Sequence, residues 1–276
     1  MSDLETLINM HRDALPQYRT KYGLPHSVRF CTRCVISNQR PSSVSEFQTT
    51  ASSTKPTINF DAEGVCDACR QAERKAQTDW AERERSLRAL CDQFRSKAGA
   101  YDCIVPGSGG KDSFYASHIL RTKFDMHPLT VTWAPHIYTD WGWRNHKRWI
   151  DAGADNYLLT PNGKVHRLLT RLAVENLFHP FQPFIIGQKA LAPKLAATFG
   201  IPLVFYGEDE AEYGNATNGS PLRSSTYHAP TGSIHLSGVS IEELRARHGL
   251  QECDLAPYMP ANPALLERKG VEVHYL

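Results

Sequence analysis

Between residues 101 and 208, short apolar segments alternate with longer segments of helical periodicity, and this alternation constrains the fold most strongly. The apolar segments YDCIV, HPLTVTW, DNYLLT and IPLVFYGE predict strands. The segments between them predict helices, of which WGWRNHKRWIDAG ends at Gly153, a residue type suited to follow a helix C terminus. Strands that alternate with helices predict an α/β protein with a doubly wound parallel sheet, covered by helices on both faces.

The segments that flank this region are less regular. Before it, DACRQAERKAQTDWAERERSLRALCDQFRSKAG predicts one long charged helix with Trp80 and Phe94 on its buried side. After it, only SIEELRARHGL predicts a regular element, a helix that begins with a capping box of Ser240 and Glu243. We expect irregular structure in the rest of the C-terminal part.

Composition restricts the class of protein. The chain has 276 residues, of which 41% are hydrophobic, and its net charge is +2. This balance argues against a nucleic-acid partner, since dedicated nucleic-acid binders usually carry a strong basic excess. No apolar run is long enough to span a membrane, and the N-terminal MSDLETLINMHRD lacks the apolar core of a signal peptide. We therefore expect a cytoplasmic protein with reduced cysteines and no membrane partner.

Two cysteine pairs lie in the N-terminal part, Cys31-x-x-Cys34 and Cys66-x-x-Cys69. Two pairs with this spacing in a reducing compartment predict one tetrahedral zinc ion. Four thiolate ligands leave no open coordination position, so the predicted zinc is structural. An iron–sulfur cluster and a redox pair are the alternatives that the spacing leaves open.

A glycine-rich segment, VPGSGGKDSFY, lies between the first predicted strand and the first predicted helix after it. Its three closely spaced glycines allow successive backbone N–H groups to point into one concavity, and the helix N terminus adds positive potential. Lys111 adds a full charge, and two serine hydroxyls add donors. The segment therefore predicts a phosphate or pyrophosphate site, the alternative being a tight turn without a ligand. The Walker A and G-x-G-x-x-G patterns both fail at Asp112.

The segment SGGKDS resembles the signature Ser-Gly-Gly-x-Asp-Ser of the pyrophosphate-loop (PP-loop) ATPases. This family includes GMP synthetase, asparagine synthetase, NAD synthetase and the tRNA thiolases. Its members place AMP from ATP on a carbonyl oxygen, release pyrophosphate, and let a nucleophile displace the AMP. The resemblance implies an adenine nucleotide alpha hydrolase-like fold that binds ATP and Mg²⁺. The residues expected at the nucleotide are Pro106, Gly107, Ser108, Gly109, Gly110, Lys111, Asp112 and Ser113, with Thr132 and Trp133 on the adenine side.

Three motifs in order, CTRCV…INFDAEGVCDAC, PGSGGKDSFY and YGEDEAEYGN, resemble the N-acetyl sugar amidotransferases of lipopolysaccharide (O-antigen) and flagellin-glycan biosynthesis. These enzymes convert an acetamido group of a nucleotide sugar to an acetamidino group. The resemblance covers roughly residues 29–276. Asp209 stands where the family usually has Asn, and known members continue beyond VEVHYL, which implies a C-terminal truncation here.

This resemblance implies site residues and partners. Lys111, Asp112, Glu208 and Glu212 are the expected catalytic residues. The expected substrate contacts are Trp141, Gly142, Asn145, Asp209, Tyr213 and Gly214. No segment resembles a glutaminase, so the resemblance implies a separate glutaminase subunit that supplies ammonia, and a cyclase-like barrel subunit beside it. The expected organisation is a zinc-ribbon module in residues 1–75, a linking helix in 76–99 and a catalytic domain in 100–276.

Two other functions compete with this interpretation. A tRNA thiolase shares the PP-loop and often carries Cys-x-x-Cys zinc pairs, but it needs further catalytic cysteines and a basic surface for tRNA. Cys91 and Cys103 are interpreted as core thiols, and Cys253 has no interpretation. The third class is a zinc-ribbon adaptor with an inactive nucleotide site, against which the intact Lys111 and Asp112 argue.

Overall fold

The computed structural model describes residues 20–41, 46–207 and 233–276, and the chain divides into two compact units. The smaller unit contains the described residues 20–41 and 52–78. The larger unit contains the described residues 46–51, 79–207 and 233–276.

A five-stranded sheet forms the centre of the larger unit. The strands along the chain are β1 (Cys103–Pro106), β2 (Pro128–Trp133), β3 (Asp155–Leu159), β4 (Leu203–Tyr206), β5 (His235–Leu236), β6 (Val239–Ser240) and β7 (Glu272–Tyr275). The sheet has the order β3-β2-β1-β4-β7, and all of its neighbouring strands are parallel. Strands β5 and β6 form a separate antiparallel pair.

Helices precede the first strand and connect the later ones. They are α1 (Asp67–Ala76), α2 (Trp80–Phe94), α3 (Lys111–Thr122), α4 (Asp140–Asp151), α5 (Gly163–Leu177), α6 (Gln182–Phe199), α7 (Ile241–His248), α8 (Glu252–Leu255) and α9 (Pro263–Arg268). Short 3₁₀ helices cover Lys21–Gly23, Glu46–Gln48 and Ala256–Tyr258. Within the described ranges, none of these helices combines the length and the apolar character that crossing a membrane requires.

Side chains that alternate along the strands build two cores, one on each face of the sheet. Ile104 and Val204 pack in a cluster with residues of α5 and α6. Val105 and Leu203 pack in a second cluster with residues of α2 and α3 and with Trp149 of α4. Because successive side chains of a strand point to opposite faces, helices cover both faces. The predicted α/β fold with a parallel sheet is confirmed.

Several predicted elements agree with the structure in detail. Gly153 follows the end of α4 with a φ of 94°, a conformation that suits glycine. Ser240 is the N-cap of α7, and its hydroxyl accepts the Glu243 N–H at 3.1 Å. These ends were predictable because capping depends on local residue types.

Three predictions about the flanking segments are wrong. The single long helix is two helices, because the Asp79 carboxylate accepts the Glu82 N–H at 3.0 Å and starts α2 as its N-cap. Trp80 is 56% exposed rather than buried. The C-terminal part is more regular than expected, since it also contains strands β5, β6 and β7 and helices α8 and α9. Val273 is the one strand residue of β7 that is fully buried, so its sequence carries little apolar signal.

Candidate functional site

The strand order places a topological switch point between β1 and β4. Within the sheet, β2 and β3 lie on one side of β1, and β4 and β7 lie on its other side. In open parallel sheets, ligands bind outside the carboxyl ends of the strands at this position. The glycine loop, residues 107–110, leaves β1 here, and Gly207 follows β4.

The glycine loop approaches its neighbours too closely for side chains at two positions. A Cβ atom on Gly107 would lie 2.1 Å from the Ser113 Cβ. Gly109 has a φ of 81°, and its Cβ would lie 2.9 Å from the Asn145 carbonyl oxygen and 2.9 Å from the His146 Cα. The loop is therefore packed on the Ser113 side chain of α3 at Gly107 and on the backbone of α4 at Gly109. These contacts explain glycine at both positions without reference to a ligand.

The loop ends at the N terminus of α3. Gly110 is the N-cap, and no side chain within the described ranges caps this helix. The Ser113 hydroxyl is buried and donates to the Gly110 carbonyl at 3.2 Å. Lys111 is 88% exposed and donates to the Asp112 carboxylate at 2.6 Å. Uncapped backbone N–H groups beside an exposed ammonium group favour an anion.

Gly207 brings the exit of β4 against the same helix. A Cβ on Gly207 would lie 3.1 Å from both the carbonyl carbon and the carbonyl oxygen of Asp112. The two strand exits at the switch point are therefore in backbone contact. The predicted residues beyond Gly207 lie outside the described part of the chain, namely Glu208, Asp209, Glu212, Tyr213 and Gly214.

His146 supports the loop and was not predicted as a site residue. It is buried on α4, and its Cα and backbone nitrogen lie 2.9 Å and 3.0 Å from the position of a Cβ on Gly109. Burial lowers the pKa of His146, and its interaction with the Ser108 backbone opposes that effect. The buried Nδ1 has no partner among the described residues. His146 and Trp149 are the buried side chains of α4 and lie three residues apart, a helical periodicity that the sequence does carry.

The two predicted adenine-side residues lie at the end of β2, and both side chains are buried. The Thr132 hydroxyl accepts a hydrogen bond from the Asn156 amide at 3.0 Å. Trp133 fills the space above Gly187 of α6, where a Cβ would lie 2.4 Å from the indole. Both side chains therefore pack in the interior of the larger unit.

The predicted substrate residues on α4 lie at its N-terminal end. Trp141 is 65% exposed, and the Arg144 guanidinium lies 5.2 Å from the centre of its ring. Gly142 donates its N–H to the Thr139 hydroxyl, which caps α4, at 3.0 Å. Asn145 has an exposed side chain, and its carbonyl faces Gly109. This end of α4 therefore adjoins the glycine loop.

The smaller unit contains the four predicted metal ligands as one cluster. The four Sγ atoms of Cys31, Cys34, Cys66 and Cys69 lie within 4.8 Å of one another. The Cys31 and Cys69 sulfurs are 3.9 Å apart, and the Cys34 and Cys66 sulfurs are 3.5 Å apart. Cys66 is the N-cap of α1, which brings Cys69 into the first helical turn.

These sulfur separations fit one tetrahedral metal ion. Zinc–sulfur bonds of about 2.3 Å place tetrahedral sulfurs about 3.8 Å apart. The backbone N–H groups of Arg33 and Cys66 both lie 3.3 Å from the Cys31 sulfur and donate to it, which favours a thiolate. The four-cysteine cluster could therefore hold zinc.

The described cysteines of the larger unit are Cys91, Cys103 and Cys253. Cys103 lies at the amino end of β1, whereas the loop follows the carboxyl end. Burial raises the pKa of Cys103 well above its usual range and raises the pKa of Cys91 to about 11. Both thiols are therefore protonated near neutral pH and are poor nucleophiles. Cys253 is exposed on α8.

Comparison with known proteins gives little information about function. No family model matches the chain. A segment of 80 residues, 29% of the chain, is 31% identical to the uncharacterized protein MJ1599 of Methanocaldococcus jannaschii. This alignment covers 28% of the relative's length. Since that relative is itself uncharacterized, the match carries no activity to this chain.

Proposed function

We propose that this chain is an ATP-dependent amidotransferase of the PP-loop class. It converts the acetamido group of a nucleotide-activated sugar to an acetamidino group, with ammonia from a separate glutaminase subunit. The observation that carries the proposal is the position of the SGGKDS segment. It opens α3 at the switch point, and Gly207 lies against Asp112 from the neighbouring strand. The three ordered motifs that resemble the amidotransferases supply the choice of substrate.

The chemistry requires that a poor electrophile is activated. Transfer of AMP from ATP to the acetamido oxygen releases pyrophosphate, and attack by ammonia on the same carbon then expels AMP and leaves an amidinium cation. The uncapped N–H groups of α3 and the Lys111 ammonium would hold the pyrophosphate. The Asp112 carboxylate, 40% exposed, is a suitable ligand for Mg²⁺, which would share the charge of the leaving group.

We assign Glu208 and Glu212 to the amidation step. The reaction turns a neutral amide into a cation, so a nearby carboxylate stabilises charge that increases toward the product. Glu212→Gln is expected to keep ATP affinity near wild type and to lower the amidination rate about a hundredfold with ammonium as the nitrogen source. A loss of ATP affinity with an unchanged rate at saturating ATP would assign this residue to the nucleotide instead.

The structure favours this function over a tRNA thiolase. A thiolase needs a nucleophilic cysteine beside the loop, and among the described cysteines of the larger unit Cys91 and Cys103 are buried. Cys103 is completely buried at the opposite end of β1. The zinc that the smaller unit could hold is compatible with both classes, and we assign it a structural role.

The proposal is tested by incubation with ATP, ammonium and a panel of nucleotide sugars that carry N-acetyl groups. We expect AMP and pyrophosphate, and mass spectrometry should detect replacement of the amide oxygen by an NH group. Asp112→Ala should abolish turnover and leave the fold intact. The matched control is Asp151→Ala at the far end of α4, where the side chain is 58% exposed. Release of ADP and phosphate, or transfer of sulfur to tRNA, would contradict the proposal.

A further inference from the structure

A cleft of about 610 Å³ opens beside α5, at the exits of β2 and β3. It is lined by His136 after β2, by Thr160 after β3, and by His166, Arg167 and Arg171 of α5. We call it the α5 cleft. It lies at the carboxyl edge of the sheet, as the glycine loop does, but the two share no residue.

A chain of hydrogen bonds ties the walls of the α5 cleft together. The Tyr258 hydroxyl lies 2.8 Å from His166 Nδ1, and His166 Nε2 lies 2.9 Å from His136 Nδ1. Neutral imidazoles satisfy both bonds, because one nitrogen of each ring can donate while the other accepts, and the Tyr258 hydroxyl can do either.

This arrangement fixes three separate segments relative to one another. They are the exit of β2, helix α5 and the 3₁₀ turn of Tyr258. Burial lowers the pKa of His166 to about 4, so the imidazole is neutral near pH 7 and the chain of bonds stays intact. A cleft whose walls are fixed before binding avoids an ordering cost when a ligand enters.

The charge in the α5 cleft is positive. Arg167 and Arg171 lie one helical turn apart, and no carboxylate lines the cleft among the residues that the structure describes. Arg171 forms an ion pair with Glu175 at 3.5 Å, whereas Arg167 has no acidic partner within the described ranges. Guanidinium groups bind phosphate in a two-pronged geometry, and two of them at this spacing suit a ligand with more than one anionic oxygen.

The size of the α5 cleft indicates a ligand larger than inorganic phosphate. Small-molecule sites typically have volumes of about 300–1,000 Å³. Pro135, Pro161 and Val174 add apolar surface to the lining. A phosphate-bearing ligand with a base or sugar attached matches this combination of cations and apolar surface.

We propose that the α5 cleft binds the phosphate groups of the nucleotide sugar, separately from the glycine loop. The identity of the nucleotide rests on the proposed function, whereas the anion site rests on the residues of the cleft. Arg167 is the principal contact, and the hydrogen bond between His136 and His166 holds the exit of β2 against α5.

Isothermal titration calorimetry with UDP, CMP and ATP tests this inference, because the first two are the carriers of a sugar and the third is the proposed cosubstrate. Arg167→Gln is expected to weaken binding of UDP or CMP about tenfold, and Arg171→Gln less, since its charge is shared with Glu175. ATP affinity should stay within about twofold of wild type. The matched control, Arg83→Gln on the exposed surface of α2, should change none of the affinities.

The inference fails if neither UDP nor CMP binds to the wild-type protein, or if Arg167→Gln leaves their affinities unchanged. It also fails if Arg167→Gln weakens ATP binding to the same extent as UDP or CMP binding. The last result would place ATP itself in the α5 cleft. The panel of N-acetyl sugars tests the amidotransferase proposal separately. If UDP binding depends on Arg167 but no amidine forms, the assignment of the α5 cleft stands and the amidotransferase function is rejected.

Discussion

Gly109→Ala should destabilise the larger unit because the glycine loop contacts the backbone of α4. Two costs combine at this position. The φ of 81° is a left-handed conformation that costs a non-glycine residue about 1–2 kcal/mol. The added Cβ would also lie 2.9–3.0 Å from three backbone atoms of Asn145 and His146. Backbone of a packed helix cannot rotate away, so we add about 1–3 kcal/mol for overpacking.

Gly200→Ala is the matched control, because Gly200 has a φ of 70° and no atom within 4 Å of its ideal Cβ. It should show the conformational cost alone, about 1–2 kcal/mol. Urea unfolding followed by tryptophan fluorescence measures both variants, since all five tryptophans lie between residues 80 and 149, in the larger unit. If Gly109→Ala costs no more than Gly200→Ala, the close approach of the loop to α4 is refuted.

Two further predictions concern the metal and the buried histidine. Cys66→Ser should lose the zinc that elemental analysis detects in the wild type, whereas Cys253→Ser, at an exposed thiol, should retain it; iron in place of zinc would contradict the assignment. His166, with a pKa of about 4 when folded and 6.5 when unfolded, should make stability fall as the pH drops below 6.5, because the unfolded chain takes up the proton first. The free energy of unfolding, measured by urea unfolding at each pH, should fall by about 2 kcal/mol between pH 7 and pH 5. His166→Gln should abolish this fall.

The sequence predicted the features that depend on local residue types. Strands β1, β2 and β4 are short apolar segments between helices, so their pattern was readable. The cysteine pairs and the glycine loop were readable because their chemistry requires fixed spacings within a few residues. The break at Asp79 was also local, and the Thr78-Asp79 pair before Trp80 is the N-cap signal that indicates it.

The α5 cleft could not be predicted, because its residues have no sequence spacing in common. His136 and His166 are 30 residues apart, and Tyr258 lies 92 residues beyond His166. Their hydrogen bonds exist because β2, α5 and the C-terminal 3₁₀ turn meet at one edge of the sheet. Strand β7 was missed for a related reason: its position as an edge strand allows polar residues, so its sequence alternates weakly.

Gly110 allows a test of whether glycine in the loop is required by the fold or by a bound ligand. Its φ of −67° is one that any residue adopts, unlike the φ of Gly109. Its ideal Cβ would meet only the Ser108 hydroxyl, at 4.0 Å, whereas a Cβ on Gly107 or Gly109 would overlap its neighbours. The fold therefore does not require glycine at this position. Gly110→Ala should lower the free energy of unfolding by about 1 kcal/mol or less, since glycine is preferred to alanine at the N-cap.

If the loop holds the pyrophosphate of ATP against its backbone N–H groups, however, the new methyl group should intrude on the ligand. We expect Gly110→Ala to weaken ATP binding about tenfold or more while the unfolding curve stays near that of the wild type. The comparison with Gly109→Ala is informative, because that variant should lose both stability and binding. If Gly110→Ala binds ATP as the wild type does, glycine at this position serves neither the fold nor the nucleotide, and the assignment of the loop to pyrophosphate loses its main support.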